Sequence, residues 1–154
     1  YLLRYIHPVQ DSDFSIKKFE DAYTADLANG LGNLVSRVSG LIEQNNITIK
    51  QKINKTKNQI LSKLIDNFQF DQALKFIWEK ITELDVYVSQ NEPWALAKQG
   101  KTKELADVLQ TSASGIIEVA KSLEVFLPGT AKKIKEIFSQ KEIKKATPLF
   151  PRIN

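Results

Sequence analysis

The 154-residue chain contains no cysteine, which excludes disulfides, thiolate zinc sites, iron–sulfur clusters and a cysteine nucleophile together. Its only histidine is His7, so no His-rich metal site can form, and a catalytic triad lacks the histidine that must stand beside its nucleophile. No apolar run approaches the ~20 residues that span a bilayer. The opening Tyr1-Leu2-Leu3-Arg4-Tyr5-Ile6 has no basic region followed by a clean apolar stretch and cleavage site. Charge of one sign is also scarce: 22 Lys+Arg against 18 Asp+Glu leave a net +4, which permits nucleic-acid binding without establishing it. These absences predict no catalytic residue and no metal ligand set in this chain, and a reducing, cytoplasmic setting. Because the sequence opens on Tyr1 rather than Met, within what reads as an ordered segment, a piece of a longer polypeptide is expected, with any chemistry lying upstream.

What is present is helical periodicity. Hydrophobic residues make up 42% and charged residues 26%, an ordinary globular balance for one domain. After a turn-like Asp11-Ser12-Asp13, Ser15 is placed to cap a helix whose apolar stripe is Phe19, Tyr23, Leu27, Leu31, Leu34, Val38, Leu41 and Ile42. Gly30, Gly32 and Gly40 each weaken that helix by about 1 kcal/mol relative to Ala and call for a reason such as close packing or access for a ligand. Further helices are expected in the second half of Ile47–Lys63, from Asp71 to Ser89 with Trp78 inward, from a Thr102 cap through Leu105 to Phe126, and from Thr130 to Phe138. Pro93 and Pro128-Gly129 break the pattern, and the tail Ala146-Thr147-Pro148-Leu149-Phe150-Pro151 is too proline-rich to be helical. No stretch alternates like a strand, so the predicted fold is all-α, a bundle of about five helices.

Three features exceed the needs of a core. Asn33 and Arg37 are four residues apart and share a helix face if Leu34 points inward. Their amide and guanidinium are the side chains best suited to reading base edges by paired hydrogen bonds; a solvated Asn and Arg is the plainer alternative. Trp94 follows the helix-breaking Pro93, a rigid mount that suits the indole as a platform for an unstacked base, against the alternative of folding back onto the core. Two lysine-rich groups, Lys50, Lys52, Lys55, Lys57 and Lys63, and Lys132, Lys133, Lys135, Lys141, Lys144 and Lys145, would attract phosphate or merely solubilise the surface. The sequons Asn46-Ile47-Thr48 and Asn54-Lys55-Thr56 are chance matches in the absence of a secretory signal.

The run Asp13-Phe14-Ser15, Phe19, then Tyr23-Thr24-Ala25-Asp26-Leu27-Ala28-Asn29-Gly30-Leu31-Gly32-Asn33-Leu34-Val35-Ser36-Arg37 resembles the start of the anticodon-binding domain of methionyl-tRNA synthetases. In the same order, Ile77-Trp78, Tyr87 and Pro93-Trp94-Ala95-Leu96-Ala97-Lys98 look like that family's later helix and Pro-Trp element. Phe126-Leu127-Pro128 and Thr147-Pro148-Leu149-Phe150-Pro151-Arg152-Ile153 are similar to its final turn and its end. The resemblance implies a helical bundle of the class I synthetase anticodon-binding type that binds the CAU anticodon of methionine tRNA. In that family an upstream catalytic domain activates methionine with ATP and Mg. By position, Asn33, Arg37 and Trp94, with Pro93, match its anticodon-binding residues. Asp85 departs from the resemblance: many relatives carry Asn there, and a carboxylate would weaken a nearby RNA contact.

The domain organisation implied is 1–12 as the end of a connector from an absent catalytic domain, 13–145 as the helical anticodon-binding domain, and 146–154 as a proline-containing C-terminal tail. The expected partners are methionine tRNA, through its anticodon loop, and the catalytic domain of the same polypeptide; neither DNA nor a membrane is expected. Cofactors belong to the full-length enzyme and none to this chain. The alternatives are the corresponding domain of another class I synthetase and a basic helical protein-interaction module without RNA specificity.

Overall fold

The computed structural model describes residues 1–5, 14–50 and 58–151. Outside them lie His7, the expected turn at Asp11-Ser12-Asp13, Lys52, Lys55 and Lys57, the sequon Asn54-Lys55-Thr56, Arg152 and Ile153. All regular structure among the described residues is helical: α1 (Leu2–Tyr5), α2 (Ile16–Ala22), a π-helical stretch (Tyr23–Gly32), α3 (Asn33–Gln44), α4 (Gln59–Asp66), α5 (Phe70–Asn91), α6 (Pro93–Lys98), α7 (Thr102–Leu123) and α8 (Pro128–Ser139). With α2, the π stretch and α3 taken as one continuous rod, these are the five expected helices plus two short ones.

Ser15 caps the first rod as expected, in an extended conformation with its hydroxyl accepting the Lys18 amide at 3.2 Å. Asn58 does the same for α4, accepting the Ile60 and Leu61 amides at 3.1 Å. Thr102 does not cap α7. It is that helix's first residue, its hydroxyl turned back to the Gly100 carbonyl at 3.4 Å, because Lys101 already occupies the cap position.

The expected stripe along the first rod is buried only in part, and all of its buried residues lie in the second half. Leu31, Leu34, Val38 and Ile42 are buried, whereas Tyr23, Leu27 and Leu41 are half-buried and Phe19 is exposed. For Phe19, Tyr23 and Leu27 the π stretch is the cause: the Asn33 amide reaches back to the Ala28 carbonyl, five residues earlier. A widened helix of this kind rotates the residues before it out of register with a 3.6-residue stripe.

The core gathers around α7, which packs on α5, α8, α6 and α3. Its inward face is Leu105, Val108, Leu109, Ala113, Ile116, Val119, Ala120 and Leu123, opposed by Ala73, Ile77, Ile81 and Val88 of α5 and by Ala131, Ile134 and Phe138 of α8. Leu84 of α5 fills the notch at Gly115, where a Cβ would collide with its methyl groups.

The described residues of the proline-containing tail, 146–151, hold no helix, as expected, yet they are not an appendage. The Ala146 amide donates to the buried Ser39 hydroxyl at 2.9 Å, the Lys145 amide donates to Glu43 at 3.0 Å, and the Tyr23 hydroxyl donates to the Pro151 carbonyl at 2.9 Å. A Cβ on Gly32 would stand 3.3 Å from the Phe150 ring, and one on Gly40 would stand 3.5 Å from the Lys145 stem. Of the three glycines, Gly32 is thus explained by close packing, against the Leu27 carbonyl and the returning tail, whereas Gly40 has room for a Cβ.

Candidate nucleic-acid interface

Three helices meet at one polar surface. α5 ends at Asn91, and a single residue, Glu92, turns the chain in the left-handed region (φ 40, ψ 57) before α6 begins. That conformation is uncommon without glycine. Pro93 follows at the first position of α6, where its fixed φ suits the helix and its missing N–H costs nothing. Pro93 itself is buried, so among the four sequence-predicted residues it offers no surface to a ligand and acts by fixing where Trp94 begins. Trp94 is 37% exposed.

Against it comes Arg37 of α3, whose guanidinium carbon lies 6.0 Å from the Trp94 ring centroid, within cation–π range. Arg37 Nη2 also donates to Asp85 Oδ1 of α5 at 2.7 Å, the short distance of a charge-assisted bond. Arg37 Nε is buried without a hydrogen-bond partner. Asn33 is exposed one helical turn before Arg37, on the same side of α3. The structure therefore brings Arg37 and Trp94 together, carries Asn33 beside them on the helix, and adds Asp85, which the sequence marks only as a departure. Lys98, four residues after Trp94 and so on its side of α6, is exposed as well; sequence reasoning missed it, although the four-residue spacing is the signal that finds it.

The lysine-rich groups are less free than their number suggests. Lys132 lies 3.9 Å from Glu136, Lys135 lies 2.7 Å from Glu124 and Lys144 lies 3.6 Å from Glu43. Lys133, Lys141 and Lys63 are exposed.

Trp78, expected in the core, is instead half-buried, with the Arg4 guanidinium carbon 4.4 Å from its ring centroid. The reason is α1: Arg4 is drawn there by Asp26, to which its Nη2 donates at 3.2 Å. Tyr5 donates its hydroxyl to the same carboxylate. Burial, then the bond to Asp26, pushes the Tyr5 phenol above its ordinary pKa. A cavity of about 350 Å³ lies under α1, bordered by Tyr1, Phe19, Tyr23, Trp78 and Phe126. Among the described residues no cluster of His, Asp or Glu is placed to hold a metal ion, and no helix is long and apolar enough to cross a membrane.

The molecule is thus an all-α bundle whose polar-aromatic surface is built from an Arg, a Trp and an Asp on three helices. No family model matches the chain. It is homologous along its whole length to a segment of methionine–tRNA ligases: it is 32% identical to that of Listeria innocua, covering 100% of this chain and 29% of that protein. It is 30% identical to that of Fusobacterium nucleatum, covering 99% and 30%, and 34% identical to that of Clostridium acetobutylicum over 88% and 23%. The crystal structure of the apo form of Mycobacterium tuberculosis methionyl-tRNA synthetase has the same fold (TM-score 0.87, 20% identity, 99% of this chain and 38% of that one). So does the same enzyme bound by methionyl-adenylate (TM-score 0.86, 20% identity). The chain spans about three-tenths of the length of the curated relatives it matches.

Proposed function

We propose that this chain is the anticodon-binding part of a methionine–tRNA ligase and recognises the CAU anticodon of methionine tRNA. The catalytic domain of the same polypeptide then charges that tRNA with methionine, using ATP and Mg, in the cytoplasm. The observation that supports this reading most is the meeting of Arg37, Trp94 and Asp85 on one open surface, with Asn33 one turn away. An unstacked base lies on the exposed part of the Trp94 ring, while the Arg37 fork and the Asn33 amide hydrogen-bond to base edges. Single-stranded bases are recognised in this way because they offer a π-face for stacking and unpaired edges for reading. A protein-interaction module is less well supported, since Trp94 stands among charged groups rather than in an apolar groove.

Titrating the purified chain with anticodon stem-loops bearing CAU and altered triplets, at one fixed salt concentration, tests the reading. CAU is expected to bind tighter by about 1–3 kcal/mol for each base whose bidentate hydrogen bonding an altered triplet removes. Equal affinity for all triplets would overturn it.

A further inference from the structure

We propose that Glu92 is a positioning residue for the base platform: its backbone, held in a strained left-handed turn, fixes the angle between α5 and α6 and so holds the Trp94 ring beside Arg37 before any RNA arrives. The proposal rests on the anticodon reading above and adds to it the device that aims the indole. It concerns the main chain of Glu92 and not its carboxylate.

The sequence forces the chain to turn here. Proline disfavours right-handed helix at the residue before it, so α5 cannot run on through Glu92 into Pro93. Glu92 takes the left-handed region instead (φ 40, ψ 57), which is costly for a residue with a side chain and is visited mainly by glycine, asparagine and aspartate. The other end of α6 makes the contrast. Gly100 also lies at positive φ (69), and there the chain uses the residue that adopts it freely.

Both sides of the turn are closed. The Asn91 side-chain amide donates to the Tyr87 carbonyl at 2.8 Å and seals the last turn of α5. The Glu92 carbonyl accepts the Ala95 and Leu96 amides at 2.7 and 3.2 Å, so α6 begins on Glu92 itself. The ring of Pro93 fixes its own φ, and Pro93 is buried. α6 is packed on α7, with Leu96 and Ala97 against the core, and this packing keeps the turn in its costly form. Between two finished helices, the torsions of Glu92 set the direction in which α6, and Trp94 with it, leaves α5. Strain of this kind persists where the surrounding structure over-determines it, and it gathers at binding sites because it holds a group in one pose. Glycine would take the same turn without strain but would take others as readily. The incoming base would then have to order the ring, at a cost in affinity.

The test compares Glu92→Gly with Glu92→Gln. Both lack the carboxylate, so any difference between them belongs to the backbone. Asn46→Gly, at another left-handed residue beyond the C-terminal end of α3, is the control. Thermal melts and titrations with a CAU stem-loop at one fixed salt concentration are joined by the fluorescence anisotropy decay of Trp94. The decay is read in a Trp78→Phe background, since the chain has 2 tryptophans. Glu92→Gly is expected to melt higher than Glu92→Gln, because the strain is relieved, and yet to bind CAU about threefold more weakly, the effect of one backbone freed by glycine. Its Trp94 ring should move faster and over a wider range. Glu92→Gln should keep the parental melt and anisotropy, and Asn46→Gly should leave affinity and anisotropy unchanged. A gain in stability together with a loss of affinity is what a merely structural turn does not give. A Glu92→Gly protein that melts below Glu92→Gln, or that binds CAU as tightly and holds the ring as still, would overturn the role given to Glu92. The anisotropy needs no RNA: a parent chain that binds every loop equally overturns the anticodon reading, an outcome distinct from a Trp94 ring as ordered in Glu92→Gly as in the parent.

Discussion

The Ser39 hydroxyl and the Ala146 amide, 107 residues apart, are joined at 2.9 Å inside the fold. The same hydroxyl donates to the Val35 carbonyl at 2.7 Å, so one serine both satisfies its own helix and anchors the returning tail. Replacing Ser39 by Ala leaves the buried Ala146 amide without its acceptor, a penalty of about 1–3 kcal/mol. Urea unfolding should show a lower midpoint with an unchanged slope. A midpoint equal to the parent's would mean that the tail is not held through this bond.

The two glycines beneath the tail should respond to alanine in opposite directions. At Gly32 an added Cβ would lie 3.0 Å from the Leu27 carbonyl oxygen and 3.3 Å from the Phe150 ring, and the carbonyl has little freedom to yield. At Gly40 the nearest atoms belong to the flexible Lys145 stem, at an ordinary 3.5 Å. Gly32→Ala should destabilise by about 1–3 kcal/mol through overpacking. Gly40→Ala should stabilise by up to about 1 kcal/mol, because alanine loses less backbone freedom in a helix. Thermal melts of the two variants side by side check this, and a stabilised Gly32→Ala would contradict the packing described.

The helices are legible in the sequence because their stripes are local: Leu105 through Leu123 can be read from spacing alone, and the Pro93 break fixes Trp94 at a helix start without any tertiary information. Periodicity misplaces Phe19 because it assumes a constant 3.6-residue turn, and nothing in Tyr23–Gly32 except its glycines signals a wider one. It misplaces Trp78 because Arg4 reaches that ring from the far side of a long sequence gap. For the same reason the Arg37–Asp85 pair is invisible in the sequence: spacing relates residues within a helix, whereas this pair is set by how α3 packs against the rest of the bundle. The docking of the tail is hidden too, since prolines predict only that it is not helical.

Tyr5 gives a pH signature. Its raised phenol pKa comes first from burial and second from the bond it donates to Asp26, both favouring the neutral form. The stability it contributes is therefore complete below the ordinary tyrosine pKa of about 10 and is lost as pH rises through the higher folded value. Phenolate absorbance of the parent minus that of Tyr5→Phe isolates this group, and its midpoint should lie above the ordinary one. Asp26→Asn should lower the midpoint without abolishing the shift, because burial remains. A midpoint at or below the ordinary value would sink the assignment.

Lys98 should contact phosphate rather than base. It stands four residues after Trp94 on α6 and is exposed, so a strand stacked on the indole would run its backbone past the ammonium. Lys98→Ala is expected to weaken every stem-loop to a similar degree and to reduce the log–log salt slope by about 0.7, the value for one single-strand phosphate. Lys135→Ala is the control, since that lysine is engaged by Glu124 at 2.7 Å, and its slope should barely change. Loss of triplet preference in Lys98→Ala with an unchanged slope would instead place this lysine on a base edge.

Trp94 and Trp78 should separate binding from stability. Trp94 is 37% exposed, and Arg37 stands beside its ring, so truncation removes a stacking surface and little of the core. Trp94→Ala is expected to cost about 1–3 kcal/mol in stem-loop affinity, the usual range for stacking of a base on an aromatic ring. Its melting temperature should fall only modestly. Trp78 is half-buried, packs against the core and supports Arg4 at 4.4 Å; its truncation should destabilise folding toward the lower end of the about 3–5 kcal/mol seen for buried rings. Because Trp78 borders the cavity under α1 rather than the Arg37 surface, any Trp78→Ala protein that remains folded should keep the CAU preference. Measuring melts and stem-loop titrations for both variants decides the roles: a Trp94→Ala protein that melts as low as Trp78→Ala, or that binds CAU with full affinity, would show that the indole is a structural residue and not the platform for a base.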